Sequence, residues 1–144
     1  MANFKVEEDN TEKILEKTEN AILKSLEIIG IKAEKYAKAL CPVGTPESTG
    51  IKGYKGGTLR GSITHEVNKV DYTVTIGSNV EYAPYVELGT GPNFKAPPQW
   101  EQFDVPAPKG KAHGYVRPRP YLQPALKNHL SDYRAIIENE LKNS

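Results

Sequence analysis

A single cysteine, Cys41, excludes an intramolecular disulfide and any cluster of thiolate metal ligands. A reducing compartment is the natural reading. Charge of one sign is missing too: 19 basic and 18 acidic side chains leave a net charge of +1, so no overall field draws the chain to nucleic acid or membrane. No window approaches the roughly 18 apolar residues of a membrane span. The opening MANFKVEEDN lacks the apolar core of a signal peptide. Histidine is scarce, and His65, His113 and His129 show no metal-ligand spacing. These absences leave a chain of one-domain length, expected to fold as a single unit over 1–144 with 1–10 flexible, and made in the cytoplasm.

What the chain does have is periodicity. Ile14, Thr18, Ile22, Leu26, Ile29, Ala33, Tyr36 and Leu40 are spaced by three or four, one stripe of an amphipathic helix. It is expected from about 11 to 40, capped at Asn10 or Thr11, stopped by Pro42 and bent at Gly30. Pro42–Gly61 holds 6 of the 12 glycines and little to bury, so 42–61 reads as a mobile loop. Ile63, His65 and Val67, then Tyr72, Val74 and Ile76, alternate with polar residues. With the short join Lys69–Asp71 they predict an antiparallel hairpin. Ala83–Gly89 predicts one helical turn, with Pro84 near its start and Gly89 closing it. Tyr82, Tyr85 and Val86 share a face of that turn.

Pro92–Pro120 holds 7 of the 11 prolines. Trp100, Phe103 and Val105 could pair with Tyr115 and Val116 as a proline-framed hairpin. Otherwise 92–117 is a long mobile loop. A last helix follows from about Tyr121, with Leu122, Leu126, Leu130, Tyr133, Ile137 and Leu141 at helical spacing. Pro124 is confined to its first turn. The fold class is α+β: a long N-terminal helix and a C-terminal helix on a small antiparallel sheet, with long Gly-rich and Pro-rich loops.

Catalytic constellations are not found. Cys41, between Leu40 and Pro42, reads as a small buried hydrophobe, with a thiol hydrolase as the competing reading. His65 shares a strand face with Ile63 and Val67 and reads as core or hairpin edge. Gly44 and Gly50 enclose five residues, and Ile51 precedes Lys52, so the Gly-rich stretch fails the phosphate-loop pattern. Glu81 and Glu87 read as solvated or ion-paired surface carboxylates. Lys95, Lys109, Lys111, Arg117 and Arg119, interleaved with aromatics, could touch a nucleic-acid backbone. Glu101 and Asp104 dilute that patch. Trp100, Phe103, Tyr115, Arg117 and Arg119 better match a protein interface, where aromatics and arginine carry the energy.

Two segments are the most constrained: VEYAPYVELGTG at Val80–Gly91 and VRPRPYLQPAL at Val116–Leu126. With Ala39-Leu40-Cys41-Pro42-Val43 and Gly57-Thr58-Leu59-Arg60-Gly61-Ser62-Ile63 they form four motifs in order. In this the chain resembles the gene-product-ten-like tail-component family of long-tailed double-stranded DNA bacteriophages, also described as neck or tail-completion proteins. The family shows TG-x-LR-x-SI and P-F-L-x-P-A-L at the second and fourth motifs, and the likeness covers about residues 20–135. Arg60, Tyr82, Pro84, Tyr85, Gly89, Gly91, Pro120, Leu122 and Pro124 carry it as structural residues. Gly44–Gly56 and a long 92–117 excursion depart from the family pattern.

The resemblance implies a structural virion protein of the head–tail connection. It implies a ring of copies touching neighbouring neck and tail proteins, with no enzymatic activity, no cofactor and no membrane, and any contact with passing DNA incidental. Loops loose in the monomer and ordered at assembly would fit such a part. The alternative is a small accessory nucleic-acid-binding protein using the basic Pro-rich loop.

Overall fold

The computed structural model describes residues 11–44, 56–89 and 117–144. In chain order the elements are helix α1 (Thr11–Leu40), the short helix α2 (Thr58–Ser62), strands β1 (Thr64–Asn68) and β2 (Thr73–Gly77), helix α3 (Ala83–Leu88), helix α4 (Leu122–Lys127) and helix α5 (Leu130–Lys142). The architecture is α+β: the two strands form one antiparallel hairpin packed on α1, and α4 and α5 pack on the same helix.

The line that α1 buries shares Leu26, Ile29 and Ala33 with the predicted stripe but otherwise runs along smaller side chains. Ala21, Ser25, Ile29, Ala33, Ala37 and Cys41, spaced by four, are buried, whereas Ile14 and Leu40 are exposed. Small side chains on a four-residue ridge let the neighbouring elements approach the helix closely. Leu26 is also buried. Ser25 meets its buried hydroxyl's need locally, donating to the Ala21 carbonyl at 2.6 Å. Around this line gather Leu59, Ile63, Ile76, Ala83, Tyr121, Ala125 and Tyr133, the core of the described residues.

The hairpin register pairs His65 with Ile76 and Val67 with Val74. Those four face α1, while Thr64, Glu66, Asn68, Thr73 and Thr75 are exposed, as a period of two requires. Tyr72 is not in the strand. It sits in the turn Lys69–Tyr72 at φ 52°, the left-handed region. The Asn68 side chain builds that turn, its Oδ1 accepting from the N–H groups of Val70 (2.8 Å) and Asp71 (3.1 Å). This Asx arrangement fixes the reversal before Tyr72 is reached.

Part of the stretch read as loop is helical. Residues 58–62 form α2, which buries Leu59. Ser62 donates to the Leu59 carbonyl at 2.6 Å, and its hydroxyl lies 2.5 Å from that of Ser78, tying α2 to the end of the hairpin. The extra length between Gly44 and Gly56 begins and ends at one point. A Cβ on Gly56 would lie 2.1 Å from the Gly44 carbonyl oxygen and 2.7 Å from Val43 Cγ1. Gly56→Ala should therefore destabilise by about 1–3 kcal/mol, since backbone must yield. Gly61→Ala, where nothing lies within 4 Å of the added carbon, serves as the neutral control in the same melts.

The C-terminal helix is two helices. The spacing from Leu122 to Leu141 predicts one, but Asn128 and His129 break it, leaving Leu126 and Leu130 exposed. His129 stacks on Tyr36 of α1, with ring centroids 3.6 Å apart and planes within 7°. Its N–H bonds to the Leu126 carbonyl at 3.4 Å and so leaves the Ala125 carbonyl without a backbone donor. The buried Tyr133 hydroxyl donates to that carbonyl across the break. Burial chiefly, with Tyr36 and Asp132 adding, pushes the Tyr133 phenol up to about 12. A Lys24–Glu140 ion pair of 3.3 Å joins α1 to the far end of α5.

Candidate functional site

The two constrained segments interlock. Pro84 lies in the first turn of α3, and Gly89 ends it at φ 79°, a conformation that glycine adopts without penalty. Inside this turn Glu87 is 1% exposed, which overturns its reading as a surface carboxylate. Its Oε2 accepts from the N–H groups of Tyr121 (2.7 Å) and Leu122 (3.0 Å), and its Oε1 from that of Gln123 (2.9 Å). The first four N–H groups of a helix have no partner within it. Here three are taken by one carboxylate. The fourth does not exist, because that residue is Pro124. The negative charge also sits at the positive end of α4.

One backbone bond extends the grip, from Arg119 N–H to the Val86 carbonyl at 2.8 Å. Consecutive residues of α3 thus hold consecutive stretches of the segment leading into α4.

The residues singled out from sequence divide accordingly. Glu87 and Tyr121 meet at the centre. Gly89 is buried, while Pro84, Tyr85, Leu122 and Pro124 are half-buried around them. Arg60, Tyr82, Arg117, Arg119 and Pro120 are exposed. Trp100, Phe103, Tyr115 and Gly91 lie outside the described residues, as does nearly all of the stretch 92–117.

Cys41 lies in the same core cluster as Leu59 and Tyr121. Burial raises its thiol pKa, opposed by the nearby Arg60 and Arg119 and reinforced by Glu87. A protonated buried thiol is a poor nucleophile, so the surroundings disfavour the hydrolase reading. Among the described residues no group of three His, Cys, Asp or Glu side chains is placed to hold a metal ion, and no helix is long and apolar enough to cross a membrane.

Two residues escaped sequence reasoning. Glu87 gives no local sign of burial because its partners lie 34 to 36 positions away. Gly30 has a role that its place in the helix does not announce: α1 runs through it, and the His65 ring occupies the place of its missing side chain, with Cδ2 2.3 Å from where a Cβ would be.

Among known families, the one described as "Bacteriophage HK97-gp10, putative tail-component" matches residues 6–89. The match contains α1 through α3 and ends before the segment that Glu87 grips. No curated protein and no solved structure matches the chain.

Proposed function

The chain belongs to the HK97-gp10-like family of bacteriophage tail components, and from that premise we propose that it is a non-enzymatic virion protein of the head–tail connection, assembling as a ring through contacts between copies and with neighbouring neck and tail proteins. The observation that carries this reading is the interlock. The one deeply buried carboxylate among the described residues accepts three backbone N–H groups, the arrangement of a helix cap and not of an acid–base catalyst. Its effect is to hold the segment leading into α4, at the foot of the 90–116 excursion, against α3. Arg117 and Arg119 stand exposed at that foot, where arginine suits a protein interface. Trp100, Phe103 and Tyr115 of the excursion are the proposed contact residues.

The reading is tested by an amber stop in this gene in a producing phage, with the lysate viewed by electron microscopy. Filled heads beside separate full-length tails are expected, and intact infectious particles would overturn it. Trp100→Ser with Phe103→Ser is expected to leave the melting of the isolated protein within about 0.5 kcal/mol of wild type, as surface substitutions do, while blocking particle assembly. Loss of cooperative melting would make the two residues core.

A further inference from the structure

His65 is the one polar side chain on the α1-facing side of the hairpin, and its surroundings are built to hold a cation. Nε2 lies 2.6 Å from Glu27 Oε1 and Nδ1 lies 2.9 Å from Glu34 Oε2. The first contact is an aligned hydrogen bond and the second a charge pairing off that line. Glu27, Gly30 and Glu34 lie on one face of α1 at spacings of three and four. The ring rests on Gly30 between the two carboxylates. It has no room to retreat, because the helix backbone lies directly behind it. From β2, the residue opposite is Ile76, which brings no charge.

A neutral imidazole donates from one nitrogen and presents a lone pair at the other. Flanked on both sides by carboxylates, it would turn that lone pair toward a negative charge. Only the imidazolium makes both contacts favourable. Glu27 is 55% exposed and can swing into water, whereas Glu34 is 20% exposed and the His65 side chain 13%. A neutral ring can therefore keep only one carboxylate contact, and Glu27 is the one free to leave.

We infer that His65 is a proton-operated clamp: as an imidazolium between Glu27 and Glu34 it pins the β1–β2 hairpin to α1, and on losing its proton it loosens the hairpin from the helix. Burial works against the charged form, but the Glu27 hydrogen bond and the close pairing with both Glu27 and Glu34 outweigh it and raise the His65 pKa above its ordinary value. A raised value fixes the sign. The clamp's contribution is complete below about pH 6.5, the ordinary value, and is lost as pH rises through the higher folded value. The hairpin carries Val70, 85% exposed at its tip, so the clamp governs how firmly an apolar tip is presented.

The test needs no variant to begin. The His65 Cε1 proton is followed by NMR in the full chain from pH 5 to 9. Amide exchange of residues 64–77 is followed in parallel, corrected for its intrinsic pH dependence. The expected result is a midpoint above the ordinary histidine value, with hairpin protection falling at least threefold across that midpoint while the centre of α1 is unchanged. Glu34→Gln should weaken proton binding at His65 by about tenfold or more, the effect of losing an adjacent opposite charge, and move the loss of protection to lower pH with it. Gly30→Ala should displace the ring and abolish the coupling, leaving a hairpin whose exchange no longer follows His65. Hairpin protection that stays constant while His65 titrates would overturn the clamp. So would a midpoint at or below the ordinary value in wild type.

Discussion

Glu87→Ala is expected to cost about 3–5 kcal/mol of stability, the range found when one partner of a buried charged contact is removed. For a chain of this length that lowers Tm on the order of 10 °C. The size follows from what remains. Tyr121, Leu122 and Gln123 present N–H groups to a point now empty of acceptors, and each buried unsatisfied donor costs about 1–3 kcal/mol unless water reaches it. Glu87→Gln is the sharper experiment. A carboxamide fills the same volume but has one acceptor oxygen, and its NH2 must face at least one of the three donors. It should still destabilise by about 2 kcal/mol. Chemical denaturation followed by circular dichroism measures both. If the glutamine variant melts with wild type, Glu87 acts by volume alone and the capping account is wrong.

Tyr121 should divide in two under substitution. It is fully buried in the core, beside the grip that holds its own N–H. Removing the ring with Tyr121→Ala should cost about 3–5 kcal/mol, the usual effect of deleting a buried aromatic. The hydroxyl is a different matter. It is buried without a hydrogen-bond partner among the described residues, and burial above all, with Cys41, Glu87 and Tyr82 nearby, holds the phenol well above its ordinary pKa. An unpartnered buried hydroxyl is a liability. Tyr121→Phe, which supplies the phenylalanine of the P-F-L pattern, should leave stability unchanged or raise it by about 1 kcal/mol. A loss larger than that would mean the hydroxyl has a partner, and the two variants together separate the ring from its oxygen.

These two sites mark where sequence stops being sufficient. Elements set by neighbours within a few positions were legible: α1 from its periodicity, the hairpin from alternation, α3 from Pro84 and Gly89, and the start of α4 from Pro124. Contacts between distant positions were not. Nothing near Glu87 distinguishes it from a surface glutamate, because its burial depends on a backbone stretch beyond residue 117. Gly30 reads as a weak point in a helix until a histidine from a strand is laid on it. Leu126 and Leu130 continue a helical repeat, and nothing local announces the break at Asn128 and His129, where His129 stacks on Tyr36 of another helix. The buried line of α1 is only partly legible for a related reason. Hydrophobicity ranks Ile14 and Leu40 above Ala21 and Ala37, but close packing favours the smaller pair.

The bond from Val86 to Arg119, with the Glu87 grip beside it, separates two kinds of change in this chain. Residues on either side of the join are fixed by the interlock, and the chain leaves it at Gly89 and returns at Arg117. Doubling the length of a flexible closed segment costs only about 0.6 kcal/mol in closure entropy, a small fraction of what the carboxylate contributes. Such a join works as a cassette port. One lineage could acquire a longer, shorter or wholly different arm there by recombination and meet a new neighbour in the particle, while the scaffold beneath is inherited intact.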